Sequence, residues 1–225
     1  MKLKSIVPWG RKLSEYKDMF HLTKDELKNY QILGCGDGPA SFNAEVTALG
    51  GSVVSIDPTY QFSREEIASR IEEVALEVMV EVRKKQEDFI WKNIANPDTL
   101  YTMRMSAMQT FLLDFTEGKE QGRYKYEMLP SLSFNDAQFD LALSSHFLFL
   151  YSEHLDEQFH IEAIDEMLRV AREVRIFPLV TLNGEVSAHL ISVLAYLKSR
   201  GYSCEVIKTE YEFQKGGNEM LLIHC

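Results

Sequence analysis

The most informative stretch of this chain is Gln31-Ile32-Leu33-Gly34-Cys35-Gly36-Asp37-Gly38-Pro39, followed by Val53-Val54-Ser55-Ile56-Asp57. A short apolar run ends at Leu33 and predicts a buried strand, and the alternate glycines after it permit a sharp backbone turn. The residues 40–49 predict the helix that follows. Its first turn presents unpaired N–H groups, which suit a carboxylate, a phosphate or a hydroxyl-rich ligand.

A carboxylate at the end of the next predicted strand indicates what the glycine turn binds. Asp57 follows the strand 52–56 and lies 19 residues beyond Gly38. In a β-α-β unit, an acidic residue about 20 positions after the turn accepts hydrogen bonds from ribose hydroxyls. Three glycines alone also fit an ordinary strand-to-helix turn, but the strand, the helix and Asp57 together favour a nucleoside cofactor. A dinucleotide turn, G-x-G-x-x-G, would need glycine in place of Pro39.

Three segments resemble the class I S-adenosylmethionine-dependent methyltransferases: LGCGDGP at 33–39, SIDP at 55–58, and LSFNDAQFDLAL at 132–143. The resemblance covers about residues 30–225. It implies S-adenosylmethionine as cofactor, with the glycines along its methionine part, Asp57 at the ribose hydroxyls, and Pro58 and Thr59 near the adenine. The cofactor-binding residues predicted on this basis are Gly34, Cys35, Gly36, Asp37, Gly38, Asp57, Pro58, Thr59, Glu127, Met128, Ser144, Ser145 and Arg11.

Two positions depart from the family's pattern. The family usually has an acidic residue two positions before the first glycine, where this chain has Ile32, so that contact must come from elsewhere or be missing. Family members also often place Asp at the end of the third strand, near the adenine amino group. Glu127 lies one position away from that register.

The order of elements predicts one α/β domain over residues 1–225. The chain is long enough, with 45% hydrophobic residues, to bury one core, and its composition shows no linker. We expect a Rossmann-like, seven-stranded, mostly parallel sheet with helices on both faces and an antiparallel C-terminal hairpin. After the first two strands, strands are predicted at 124–128, 139–144, 174–180, 203–213 and 219–224, and helices at 153–171 and 186–200.

Two segments exceed what this fold needs. A helical insertion of about residues 62–121 follows the second strand, with helices predicted at 64–85 and 99–115. It fits a lid or substrate wall, a pair of helices that only covers the sheet, or a dimer face. An N-terminal helical cap of about residues 1–29 includes Trp9, Arg11 and Tyr16, which could close over the cofactor. Arg11 fits the methionyl carboxylate, and it also fits an ordinary surface arginine.

The predicted chemistry lies after the fourth strand. His146 is the candidate catalytic base, because an unperturbed imidazole titrates near neutral pH, although methyl transfer needs no base when the acceptor is already nucleophilic. The alternative is a structural histidine bonded to backbone. Aromatic residues are predicted to line the acceptor pocket: Phe147, Phe149, Tyr151 and Trp91.

Several classes of protein lack their usual signals here. The residues His154, Asp156, Glu157 and His160 fit the first turns of a helix capped by Ser152 better than a metal site, and no metal is expected. No phosphate loop and no G-x-S-x-G elbow is present.

Charge and cysteine content bound the partners and the location. A formal net charge of −10 would repel nucleic acid and anionic membranes. The three cysteines, Cys35, Cys204 and Cys225, contain no C-x-x-C pair and favour a reducing compartment. With neither a signal peptide nor a membrane-spanning run, the predicted location is cytoplasmic.

The sequence thus predicts a methyltransferase that acts on a small molecule or a protein side chain. A non-catalytic module that binds S-adenosylmethionine is the alternative, because of Ile32. A nicotinamide-dependent oxidoreductase is disfavoured by Pro39 and the terminal hairpin. A homodimer through the insertion is compatible with the sequence.

Overall fold

A computed structural model describes residues 7–224, and in it seven strands form one sheet in the order β3-β2-β1-β4-β5-β7-β6. The strands are β1 Gln31–Cys35, β2 Ser52–Ile56, β3 Tyr124–Lys125, β4 Phe139–Ser145, β5 Ala171–Phe177, β6 Ser203–Lys208 and β7 Glu219–His224. The helices are α1 Leu13–Phe20, α2 Lys24–Asn29, α3 Phe42–Ala48, α4 Arg64–Lys84, α5 Pro97–Glu120, α6 Glu157–Val170 and α7 Leu190–Ser199.

The pairing confirms the predicted sheet. Strand β1 lies parallel between β2 and β4, and β3 and β5 extend the parallel part on either side. Strand β7 runs antiparallel to β5 and to β6 and so closes the sheet with a hairpin. The order changes direction between β1 and β4, and the crevice at the carboxyl ends of these two strands is where open α/β sheets bind ligands.

Alternate side chains of the strands pack into two separate hydrophobic cores, one on each face of the sheet. Leu33 and Ala142 face the core that includes residues of α6 and α7, whereas Ile32 and Leu141 face the core that includes residues of α1, α2 and α3. Because successive side chains of a strand point to opposite faces, an all-apolar strand requires helices on both sides of the sheet. The structure confirms that prediction.

Several element boundaries differ from the sequence prediction. Strand β3 has two residues rather than five, and β5 covers 171–177 rather than 174–180, so that Pro178 directly follows it. Strand β6 ends at Lys208, because beyond it Tyr211 and Phe213 leave the sheet and pack against the core around α1. The predicted cap of α6 was wrong. Asp156, and not Ser152, accepts the hydrogen bond from the backbone N–H of Phe159, at 2.8 Å.

The insertion between β2 and β3 forms the two predicted helices, α4 and α5, which pack against each other. A capping box of Ser63 and Glu66 begins α4, and the Asn96 side chain caps α5 with Pro97 in the first turn. Within residues 7–224, no helix is both long enough and apolar enough to cross a bilayer.

A buried ion pair holds the insertion to the rest of the protein. Arg104 of α5 is fully buried and donates to the Glu15 carboxylate of α1 at 2.6 Å. Arg104 also donates to the Tyr211 hydroxyl at 3.3 Å, and Tyr211 donates to Glu15 at 3.0 Å. Burial is the largest single influence and raises the pKa of Glu15, but Arg104, the charge of Arg11 and the backbone N–H of Lys12 together lower this pKa to about 2. The ion pair therefore fixes α5 against α1.

Candidate functional site

The glycine turn follows β1 directly and passes the end of β2. Gly36 and Gly38 adopt positive φ angles of 69° and 51°, which favour glycine. The backbone N–H of Gly36 donates to the carbonyl of Ile56 at 2.9 Å. A Cβ atom at Gly34 would lie 1.8 Å from the Asp37 carboxylate, so that only glycine lets this acidic side chain fold back beneath the turn.

Asp57 lies at the end of β2, as predicted, and faces the turn. One carboxylate oxygen accepts from the backbone N–H of Gly38 at 2.9 Å, and the other accepts from the N–H and the hydroxyl of Thr59 at 2.8 and 2.6 Å. Burial raises the pKa of Asp57, and these hydrogen bonds oppose that shift. A carboxylate has about four acceptor positions, so Asp57 can accept one further hydrogen bond from a ligand.

Asp37 is a buried carboxylate without a cation. Only 7% of the residue is exposed, and its oxygens accept from the Tyr16 hydroxyl at 2.8 Å and the Ser55 hydroxyl at 2.6 Å. Burial raises the pKa of Asp37 to about 6, despite these two hydrogen bonds. Among residues 7–224, no Lys, Arg or His side chain lies within 4.0 Å of it to form an ion pair.

The N-terminal segment 7–12 lies against the glycine turn. A Cβ atom at Gly10 would be 2.0 Å from the carbonyl oxygen of Pro39, so the two backbones are in close contact. The backbone carbonyl of Arg11 accepts from the N–H of Ser41 at 3.0 Å. This segment thus covers the start of α3.

Arg11 is a half-buried cation near Glu15, whose charge raises the pKa of Arg11. One guanidinium nitrogen donates to the Trp9 carbonyl at 3.1 Å, and the buried Nε atom has no partner in the described part of the chain. Burial lowers the pKa of Arg11, and the charge of Arg104 lowers it further. Within the same described residues, Arg11 forms no salt bridge.

His146 follows β4 and carries a left-handed backbone, with φ 54°. The backbone N–H of His146 donates to the Phe177 carbonyl at 2.6 Å, and the imidazole Nδ1 atom lies 3.0 Å from the Ser145 hydroxyl. Burial lowers the pKa of His146 well below its usual value, and the charges of Arg11 and Arg104 lower it further. The imidazole is therefore neutral near pH 7, and it is a weak base. Non-glycine residues in this strained conformation cluster at functional sites.

These groups face a common cavity of about 260 Å³. Most of the residues predicted from the sequence line it: Arg11, Gly36, Asp37, Gly38, Asp57, Pro58, Thr59, Glu127, Met128, Ser145, His146, Phe147 and Tyr151.

Five predicted residues lie outside the lining. Gly34 and Cys35 belong to β1 itself, and Ser144 is fully buried in β4. Phe149 packs against His160, and Trp91 donates to the Gln86 carbonyl and packs on Phe213. Glu127 reaches the lining, but its carboxylate accepts from the N–H and the hydroxyl of Ser133 at 2.9 and 2.6 Å.

The sequence did not single out Val78, Leu150 and Leu182, which also line the cavity. Val78 belongs to the apolar stripe of α4, and periodicity alone cannot tell a core residue from a cavity residue. In the described chain, no three His, Cys, Asp or Glu side chains are grouped so as to hold a metal ion.

Strand order, the glycine turn and Asp57 at the end of β2 together define a protein with the Rossmann-like fold of the class I methyltransferases. No protein-family model matches the chain. It is 37% identical over 224 residues to the uncharacterized protein MJ0045 of Methanocaldococcus jannaschii, a match that covers 99% of this chain and 98% of that one. The chain belongs to the same family as that protein.

Two methyltransferases of low identity are among the solved structures with a similar arrangement. Magnesium protoporphyrin IX methyltransferase from Synechocystis, with bound SAH, gives a TM-score of 0.48 at 14% identity over 91% of this chain and 78% of that one. A SAM-dependent methyltransferase from Aquifex aeolicus gives 0.43 at 10% identity over 93% and 97%. The fold of this chain is defined by its own strand order.

Proposed function

We propose that this protein is a methyltransferase that uses S-adenosylmethionine to methylate a small molecule. One observation carries the proposal: the half-buried Arg11 guanidinium and the buried Asp37 carboxylate, neither of which forms a salt bridge within residues 7–224, face one cavity beside the glycine turn and Asp57. An unpaired buried charge is costly, so such an arrangement implies a ligand with the complementary charges. The methionyl end of the cofactor is a zwitterion and has both of them.

The charges of the site suit the whole cofactor. Arg11 would bind the methionyl carboxylate, Asp37 the ammonium group, and Asp57 a ribose hydroxyl. These three side chains sum to one negative charge when both carboxyls are ionised, and S-adenosylmethionine carries one net positive charge. Asp37 would thereby supply the carboxylate that Ile32 cannot. The turn has no third glycine in the dinucleotide spacing, which disfavours a nicotinamide cofactor.

When bound, S-adenosylmethionine would supply an electrophilic methyl group on a sulfonium, with a neutral thioether as the leaving group. The residues of this chain align the acceptor and exclude water. His146 would accept a hydrogen bond, or a readily lost proton, from the acceptor. Because its pKa is low, it suits an acceptor that needs little or no deprotonation.

Calorimetry with S-adenosylmethionine tests the proposal. We expect micromolar binding by the wild type, loss of at least tenfold in affinity in Asp57→Ala, and no binding of NAD. Asp98→Ala is the matched control, because the Asp98 side chain is 84% exposed on α5. Absence of S-adenosylmethionine binding by the wild type would sink the proposal. Tight binding without turnover on any acceptor would instead support the non-catalytic module.

A further inference from the structure

One part of the cavity is apolar and is formed by three separate segments of the chain. Val7 and Trp9 of the N-terminal segment pack with Val78 of α4 in one hydrophobic cluster. Leu150 and Leu182 belong to another cluster, formed by the loops after β4 and β5. We call the part of the cavity lined by these five residues and Tyr151 the apolar pocket.

Hydrogen bonds connect these segments around the apolar pocket. The backbone N–H of Val7 donates to the Tyr151 hydroxyl at 3.3 Å, which joins the N-terminal segment to the loop after β4. The N–H of Leu182 donates to the Leu150 carbonyl at 3.1 Å, which joins the loops after β4 and β5. The N-terminal segment, α4 and these loops therefore enclose the pocket, and a small molecule fits it better than a polymer.

Within residues 7–224, none of the charged groups that line the cavity is among the six residues of the apolar pocket. Arg11, Asp37 and Asp57 are complementary to the cofactor, and the Glu127 carboxylate is bonded to Ser133. The remaining titratable groups of the lining are tyrosines and His146. Burial raises the pKa of Tyr151 and lowers that of His146, so both are neutral near pH 7. Within residues 7–224, the apolar pocket offers a charged acceptor no ionic partner, and burying its charge there would be unfavourable.

We propose that the methyl acceptor is a small, uncharged, largely apolar molecule that binds in the apolar pocket, with Val78 and Leu182 limiting its size. The proposal rests on the proposed function and identifies its substrate class. It also assigns the insertion a role, since Val78 of α4 forms one wall of the acceptor site.

The test compares three naphthalene probes that differ in charge: 2-naphthol, 2-naphthoate and 2-naphthylmethylammonium. Their dissociation constants are measured by calorimetry at pH 7, with the full chain, in the absence and in the presence of saturating S-adenosylhomocysteine. We expect 2-naphthol to bind at least tenfold more tightly than either ion, equivalent to about 1.4 kcal/mol. An ionic probe that binds as tightly as 2-naphthol would overturn the proposal.

Substitutions in the lining of the apolar pocket test whether 2-naphthol binds there. Val78→Phe should weaken 2-naphthol binding at least fivefold and leave S-adenosylhomocysteine binding unchanged, whereas Leu76→Phe should change neither. Leu76 is the matched control, because it lies on the same helix but is 69% exposed. Val78→Thr keeps the volume and adds a hydroxyl, and Leu182→Phe alters a different segment. These two variants replace Val78→Phe in the test if Val78→Phe melts well below the wild type. Unchanged 2-naphthol binding in every folded pocket variant would contradict the proposal.

The outcomes separate this proposal from the proposed function. Binding of S-adenosylhomocysteine without binding of any probe leaves the methyltransferase standing and refutes the apolar acceptor site. Binding of 2-naphthol that depends on Val78, without binding of the cofactor, supports an apolar ligand site and refutes the methyltransferase. If neither binds, both fall.

Discussion

At the scale of single residues, Asp37 shows how this chain differs from its resemblance. Ile32 occupies the position where the family usually has an acid, and the carboxylate beneath the turn instead comes from within the turn itself. The sequence places Asp37 near the cofactor, but it gives no sign that Tyr16 and Ser55 hold its carboxylate. Those contacts join residues 21 and 18 positions away on other elements, so only tertiary structure reveals them.

Asp37→Asn should stabilise the protein without ligand and weaken cofactor binding. The pKa of Asp37 is raised from 3.8 to about 6, so the folded state binds this proton more tightly than the unfolded state. Ionisation therefore destabilises the fold as the pH rises from 3.8 to 6, by up to about 3 kcal/mol above that range, and the penalty vanishes below 3.8. We expect denaturation to show a gain of about 1–3 kcal/mol at pH 7 and none at pH 3.5, and calorimetry at least a tenfold loss in S-adenosylmethionine affinity.

His146→Asn tests the catalytic role of the imidazole. Asparagine tolerates the left-handed backbone at this position, so the variant should fold and bind S-adenosylmethionine within about twofold of the wild type. We expect turnover to fall by about 10²-fold if the imidazole accepts a proton. Since the pKa of His146 lies well below 6.5, the wild-type rate should show no change near that pH. Unchanged turnover with cofactor affinity kept would refute the role of His146 as base.

At the scale of elements, a buried ion pair decides how the insertion sits. The sequence predicted two amphipathic helices and left open whether they form a wall, a cover or a dimer face. Arg104 points inward from α5 to Glu15 of α1, and Val78 of α4 reaches the cavity. Helix α4 therefore contributes Val78 to the cavity lining, and α5 is fixed to the N-terminal cap through Arg104.

Arg104→Met should destabilise the fold by about 3–5 kcal/mol, because it leaves the Glu15 carboxylate buried without its partner. Arg70→Ala breaks an exposed pair with Glu73 on α4 and should cost at most about 0.5 kcal/mol. The pKa of Glu15 is lowered to about 2, so its contribution is present above pH 4.5 and is lost as the pH falls through about 2. Urea denaturation at pH 7 and pH 3 should therefore show a smaller effect of Arg104→Met at pH 3.

The N-terminal segment should be needed for cofactor affinity. A Cβ atom in Gly10→Ala would meet the Pro39 carbonyl oxygen at 2.0 Å and push the segment from the glycine turn. Gly51→Ala is the matched control, because its Cβ would meet the Leu27 carbonyl oxygen at the same distance, away from the cavity. We expect both variants to lose about 1–3 kcal/mol of stability. Only Gly10→Ala should weaken S-adenosylmethionine binding, at least fivefold by calorimetry; an equal loss in Gly51→Ala would contradict this.

At the scale of the whole molecule, binding to a cavity formed by distant segments should stabilise the entire fold. A ligand at 100 times its dissociation constant stabilises the folded state by about 2.7 kcal/mol, which for a chain of this size raises Tm by about 5–10 °C. We expect that rise with S-adenosylmethionine in a thermal melt, and none with NAD at the same concentration. A rise with NAD alone would support the oxidoreductase instead.

Other whole-molecule properties remain predictions from the sequence. The net charge of −10 predicts no affinity for nucleic acid or anionic membranes, and the cysteine content predicts a reducing compartment. Cys225 lies outside the described residues, while Cys35 and Cys204 are free thiols. A homodimer through the insertion would use the exposed apolar side chains Leu76, Val80 and Leu113.

The α/β fold, the terminal hairpin, the glycine turn and the place of Asp57 could all be predicted from the amino-acid sequence. These features depend on local spacing: apolar runs, alternate glycines and a carboxylate 19 residues on. The packing of the folded chain was needed to show which described charges form no salt bridge, which insertion residue reaches the cavity, and what holds the insertion in place. Contacts such as Glu15 with Arg104, 89 positions apart, and Arg104 with Tyr211, 107 apart, leave no periodic pattern, because each depends on how distant elements pack against one sheet.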